Sequence, residues 1–262
     1  MNRILKYIKP YILPILLAIG ILYAQVTADL ALPDYMSDIV NVGIQQGGIP
    51  NATPDAIRKS TMEKITLFMS ADEKAAVMKD YTLVDQNSAD FNNIVEKYPL
   101  AAKEAVYVLN TSDTAEIEKI NPIMAKGLLI ITMVNKVIQD PKTAAELSQQ
   151  LGFDLSKIPQ GMDIFTLLTK LSEEQRAQML SVVNEKISAI DSSLLTQMAI
   201  TSVKEEYTAL GMDLEQLQSD YIFKIGSSML LLTLATIACA VAVGYITSRV
   251  ASGVARDLRM DI

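Results

Sequence analysis

The chain has 262 residues, half of them hydrophobic, with 23 Lys and Arg against 30 Asp and Glu and a formal charge of −7. It has no His, which excludes Ser-His and Cys-His catalytic pairs and the commonest zinc ligand, and its single Cys excludes an internal disulfide. A positive mean hydropathy beside 20% charged residues means that the apolar residues are concentrated in particular segments.

The first such segment is PYILPILLAIGILYAQVTA, 19 residues without a charge between Lys9 and Asp29. At about 1.5 Å per residue it makes a helix of roughly 28 Å, close to the ~30 Å hydrocarbon core of a bilayer. A basic start, an apolar run and small residues near Ala24 and Ala28 also fit a cleavable signal peptide. The length of the run, with Pro10 and Pro14 inside it, argues for a retained helix. Beyond it, Leu32, Met36, Ile39, Val40 and Ile44 keep a helical stripe as far as the terminator Gly47-Gly48. Residues 1–48 therefore form a first transmembrane helix and its outer extension.

Residues 49–219 read as a helical, water-soluble insert, because helix-start signals recur. Thr53-Pro54 and Asp140-Pro141 each set a capping side chain before a Pro. Ser70 to Glu73 and Ser172 to Gln175 fit capping boxes. Gln175, Met179, Val182, Val183, Ile187 and Ile190 keep a helical period, and Asp191 with Ser192 can cap the next helix. Strand signals are sparse, the short run Tyr107 to Leu109 being the main one. GLLIITMV, at Gly127 to Val134, is too short to span a membrane and reads as the insert's buried helix.

Residues 220–262 hold a second charge-free run, 24 residues between Lys224 and Arg249, about 36 Å as a helix. Arg3, Lys6 and Lys9 precede the first span, and Arg249, Arg256 and Arg259 follow the second, so both ends face the cytoplasm by the distribution of basic residues. The stretch from Asp29 to Lys224 then lies outside, with 17 basic and 28 acidic residues, a balance that argues against a nucleic-acid partner. In RVASGVARDLRMDI, Ala251, Val254, Ala255, Leu258 and Ile262 form an apolar stripe, while Arg249, Ser252, Arg256 and Arg259 line a polar face. Arg256 with Arg259, and Asp257 with Asp261, are like charges at helical spacing, so this helix looks to other helices for partners.

No residue stands out as catalytic, cofactor-binding, metal-binding or substrate-binding. Phosphate-binding loops of the types G-x-x-x-x-G-K-[ST] and G-x-G-x-x-G are absent from these 262 residues. Cys239 sits among Ala residues in the second span and reads as a buried, inert thiol. The sequons at Asn51 and Asn110 are patterns frequent by chance, and the 13 Met residues suit gap-filling in a core.

LPDYMSDIVNVGI, together with the second span leading into RVASGVARDLRMDI, resembles the start of the membrane domain of bacterial multidrug-type ABC exporters. Leu32, Pro33, Met36, Ile39, Val40, Gly43 and Ile44 match the outer exit of the family's first helix. Arg249, Val254, Leu258 and Arg259 match the cytoplasmic extension of its second. The resemblance covers about 90 residues at the two ends and implies nothing about the insert, which stands where the family has a short loop. It implies an all-α membrane protein, two transmembrane helices with a helical extracytoplasmic domain between them, working by ATP-driven alternating access. The implied partners are the lipid bilayer, further transmembrane helices and a nucleotide-binding domain of the same polypeptide, and a second half-transporter. The implied cofactors, ATP and Mg, belong to that nucleotide-binding domain. These residues by themselves would not be an enzyme. The alternative is a membrane-anchored extracytoplasmic helical domain acting as a sensor or protein-binding module.

Overall fold

The structure, a computed structural model, describes residues 9–139, 165, 181, 187 and 190–260. It divides into two compact units, Met1–Gly48 with Leu217–Ile262, and Ile49–Gln216.

The first unit pairs the two terminal helices. A 3-10 turn (Lys9–Tyr11) leads into α1 (Ile12–Asp38), which continues as a π-helix over Ile39–Gln45. The chain then leaves through Gly47 and Gly48 at φ +66° and +82°, a conformation that L side chains rarely adopt. A Cβ at Gly48 would also stand 2.9 Å from the carbonyl oxygen of Leu217, so the terminator seen in the sequence serves packing as well as turning. The last helix, numbered α7 below, runs unbroken from Leu214 to Met260. Both helices are long and apolar enough to cross a membrane by length and composition.

The partly shielded positions of α1 and its flanks recur in alternating steps of three and four: Tyr11, Pro14, Ala18, Ile21, Gln25, Ala28 and onward to Gln46. On α7 the same steps carry Gln218, Ile222 and Ile225 through Thr236, Cys239 and Val243 to Val250, Gly253 and Asp257. This 3.5-residue repeat is the signature of a coiled-coil seam, here between antiparallel helices. The stripe at the end of α7 is rotated from the one read off the sequence. Val250, Gly253, Val254, Asp257 and Leu258 are shielded, whereas Ala251 and Ala255 are exposed, because the seam and not apolarity selects the covered face. Ile262 lies outside the described residues.

The second unit corrects the all-helical expectation for the insert. β1 (Ala56–Arg58), β2 (Tyr81–Val84) and β3 (Val106–Leu109) form an antiparallel sheet in the order β1-β3-β2, with Ile57 opposite Tyr107 and Leu83 opposite Tyr107 from the other side. The strands are three or four residues long, too short for a period-two pattern to stand out, although their β-branched and aromatic content suits a pleated surface. Thr53-Pro54 starts no helix. Asn51 Oδ1 accepts from the Thr53 amide and Asn121 Oδ1 from the Ala52 amide, tying the segment into a loop that feeds β1.

Around the sheet lie α2 (Lys59–Thr66), α3 (Ala71–Lys79), α4 (Phe91–Lys97), α5 (Thr114–Gln139) and α6 (Ser192–Ala209). Ser70 and Glu73 close the expected capping box on α3, and Asp191 caps α6 by accepting from the amides of Ser193 and Leu194. The run Gly127 to Val134 is helical and supplies Leu128, Leu129, Ile130 and Ile131 to the core, against Ala199, Ile200 and Val203 of α6 and Ile65 and Phe68 beside them. The starts expected at Asp140-Pro141 and at Ser172 to Gln175 lie outside the described residues, as does most of the stripe that follows. Of that stripe, Ile187 is buried.

Gly127 marks the closest approach in this core, since a Cβ there would run into the side chain of Ile65, 3.4 Å from its Cβ and closer still to its Cγ2. Gly127→Ala should therefore lower stability by about 1–3 kcal/mol through overpacking. Gly20→Ala, with nothing within 4 Å, should leave it level or raise it. Thermal unfolding of the two detergent-solubilised variants checks the contrast.

Candidate functional site

In the second unit the chemistry gathers where α6 meets β1 and α2. Glu206, 5% exposed, accepts from Arg58 Nε at 3.0 Å and Nη2 at 2.6 Å, and from Thr61 Oγ1 at 2.7 Å. The fork of the guanidinium meets both carboxylate oxygens, the geometry that best offsets the loss of water around a buried ion pair. This hydrogen bond also holds the Arg58 guanidinium more firmly protonated than usual, against a smaller opposing effect of burial. Beside the pair lies a cavity of about 90 Å³ lined by Lys64, Leu128, Thr132, Asn135 and Ser202 among others, with the Thr132 and Ser202 hydroxyls bonded to each other across α5 and α6. The Glu206 carboxylate accepts from Arg58 and Thr61 on both oxygens, so this pair fastens the unit together.

A tyrosine group secures the loop into β1. Tyr81 Oη donates to the Pro54 carbonyl at 2.7 Å, and Tyr207 Oη accepts from the Asp55 amide at 2.9 Å. Burial pushes both phenols well above their ordinary range, so they stay neutral. A shallow recess of about 270 Å³ between Asp85, Phe91 and Lys103 carries both signs of charge and no convergent set of polar atoms. Among the described residues no three His, Cys, Asp or Glu side chains come together as metal ligands.

In the first unit the two ends of the seam hold the specific contacts. At one end Gln218 Nε2 donates to the carbonyl of Gly43 at 2.9 Å, and Gly43 lies directly against Ile222. At the other end Tyr11 Oη donates to Asp257 Oδ2 at 2.9 Å. The Tyr11 ring lies so close over Gly253 that a Cβ there would be 2.6 Å from Cζ. The charged tail of α7 thus meets a phenol from the start of α1, while Arg256 pairs with its neighbour Asp257 at 3.0 Å. Thr236, 6% exposed, sits in the seam and returns its hydroxyl hydrogen to the Thr233 carbonyl. Cys239 is half-buried in the same seam.

Tyr11, Gly253 and the 3.5-residue seam were not singled out by sequence reasoning. Nearly every position of both spans is apolar, so the spacing of large residues carries no contrast, and only the rare polar residues Gln25 and Thr236 hint at the facing side. No protein-family profile, curated protein or solved structure matches the chain.

Two consequences can be measured. Glu206→Ala leaves the Arg58 guanidinium, about one third exposed, and the Thr61 hydroxyl without their acceptor. It should cost about 3 kcal/mol, the low end for a broken buried pair because Arg58 reaches water. Urea unfolding followed by circular dichroism reads this loss. For Glu73 burial acts to raise the pKa, but bonds from Lys126 Nζ and from the Ser70 amide and hydroxyl outweigh it and the carboxyl is held below its usual value. Its stabilisation is therefore complete above the unfolded glutamate range and disappears as pH falls through the lowered value. Glu73→Gln should flatten the acid limb of a stability–pH profile and leave the neutral to alkaline side parallel to wild type.

Proposed function

We propose that this chain is the leading part of the membrane domain of an ATP-driven exporter, two spanning helices that carry an extracytoplasmic α/β domain between them. The observation that carries the reading is the 47-residue helix α7. At about 1.5 Å per residue it is roughly 70 Å long, more than twice the ~30 Å hydrocarbon core. Its charge-free run is confined to residues 225–248, so α7 extends past that run at both ends. The antiparallel seam supports the same reading. It continues past the charge-free run of α7 at both ends, at Gln218 and Asp257, and past that of α1 at the Gly43 end.

The spans expose large apolar side chains away from the seam, among them Leu30 at 70% and Val241 at 68%, as lipid-facing or helix-facing residues would be. Alternating access in such a transporter moves helices as rods, and α7 is a single rod from the outer domain to the cytoplasmic arginines. Substrate contacts would come from uncharged side chains of the spans. Outside the membrane the second unit adds a compact domain able to gate the outer mouth or bind a partner.

Topology can be tested on whole cells. In a Cys239→Ala background, a single cysteine at Asn87 should react with a membrane-impermeant maleimide added outside. One at Ser252 should react only after permeabilisation. Equal labelling of both from outside removes the membrane reading. In-frame translation of the coding DNA beyond the codon for Ile262 tests the exporter reading itself. Four further apolar spans followed by G-x-x-x-x-G-K-[ST] are expected, and a stop codon there in an intact, expressed gene would leave the anchored-domain alternative.

A further inference from the structure

The contacts that tie the helices also fix their register. Tyr11 lies against Gly253 and Gly43 against Ile222. Interpolating between these ends brings Pro10 within about two residues of the level of Arg256, and likewise Leu17 of Arg249, Ala24 of Ala242 and Ala31 of Ala235. In each pair both residues immediately precede a seam position, so all four pairs lie in one column on the same side of the antiparallel seam.

Two features of this column point to one ligand. Arg249 stands near the level of Leu17, about 12 Å nearer the middle of the bilayer than Lys9. It is exposed, and it donates to the Tyr245 hydroxyl one turn away on its own helix, at 3.2 Å. A guanidinium displaced towards hydrocarbon calls for an anion or for water drawn in to meet it. The described residues of this end carry Lys9, Arg249, Arg256 and Arg259 against the single carboxylate of Asp257, which already accepts from Tyr11 and Arg256. Beyond Arg249 the column narrows to four alanines. Between Arg249 and Ala235 it runs about 21 Å, more than the roughly 15 Å depth of one leaflet. The column thus joins a cationic head to four small apolar side chains, which would leave an apolar trough beside the seam.

We infer that this flank of the helix pair is a binding site for an anionic glycerophospholipid of the inner leaflet. The phosphate is held by Arg249 with Arg256 beside it, and one acyl chain lies over Ala24, Ala242, Ala31 and Ala235. Arg249 takes the phosphate as a forked donor, which a point-charge lysine does less well. Lipid held here would bridge α1 and α7 and favour the paired state. The inference rests on the membrane-embedded reading.

The test uses the whole chain purified in detergent from cells, with retained lipid identified by mass spectrometry. It is followed by thermal unfolding with added dioleoyl phosphatidylglycerol, dioleoyl phosphatidylcholine or glycerol 3-phosphate. Wild type should retain the anionic lipid at least tenfold over the zwitterionic one and should be stabilised by phosphatidylglycerol alone. Arg249→Gln, which breaks no interhelical contact, should lose most of that preference, and Arg249→Lys should keep part of it. Ala242→Leu, which fills the trough, should weaken retention with the arginines intact. Equal retention of the two phospholipids, an undiminished preference in Arg249→Gln, or stabilisation by glycerol 3-phosphate equal to that by the lipid each overturns the site. If the cysteine labelling gives the expected topology while these lipid measurements fail, the lipid site alone is lost and the membrane reading stands.

Discussion

The antiparallel register of α1 and α7 is the constraint from which most of the first unit follows. Each helix has its own charge-free run, residues 10–28 and 225–248, and the register offsets these runs along the pair. Asp29 falls near the level of Ile237, and Arg249 near that of Leu17. Neither helix alone would place its charge beside apolar surface; the pair does so at both edges. A ~30 Å slab drawn over the pair takes in roughly residues 14–33 and 233–252, with Asp29 and Arg249 each a turn inside its faces. Such positions are tolerated near an interface, where long side chains reach outward, and they are costly near the middle. The seam therefore sets the depth of the pair as well as its geometry.

In the proposed membrane setting, what holds the register is a small number of specific contacts and not apolarity, since leucine gains little by leaving lipid for another leucine. Gly253 lets Tyr11 approach closely enough to reach Asp257, and Gln218 reaches the Gly43 carbonyl where the π-helix has rotated the backbone. Between these ends the seam carries small or polar residues such as Ala18, Gln25, Ala28 and Thr236, the types that let membrane helices approach. In the second unit the driving force is different. Water surrounds it in the proposed topology, so burial of Phe68, Met124 and Leu128 contributes roughly 2 kcal/mol each, and the Glu206 clasp adds specificity to a core that no disulfide staples.

The strongest local signals were legible from the sequence. The two charge-free runs, the Gly47-Gly48 stop, the Ser70 capping box, the Asp191 cap and the buried run Gly127 to Val134 are each decided by neighbouring residues, and the structure has all of them. The sheet was not legible, because strands of three and four residues draw their stability from partners about 25 and 50 residues away. Thr53-Pro54 misled for the same reason. Its capping chemistry is sound locally, yet Asn121 and Tyr207, distant in sequence, hold the segment as a loop. The Arg58–Glu206 pair spans 148 residues and leaves no mark in the spacing of either residue. At the tail, apolar Ala251 and Ala255 suggested a buried stripe, whereas polar Asp257 is the residue turned to the partner, because a phenol waits there.

The same seam bears on how an exporter would use this pair. A helix tied to its neighbour at both ends cannot slide past it without breaking the Tyr11–Asp257 and Gln218–Gly43 contacts together. In the proposed exporter, force applied to the arginines of α7 would then pass to α1 and α7 as a unit, and the pair would rock without shearing. Interfaces that change in alternating access would accordingly be those on the outer faces, where Leu30 and Val241 stand uncovered, and not the seam. An acyl chain seated along one flank would favour this division by filling the space between the helices on that side and leaving the opposite flank, with Thr233 and Ala240, for other transmembrane helices. The stability of the pair and its mobility as a unit are two aspects of one register.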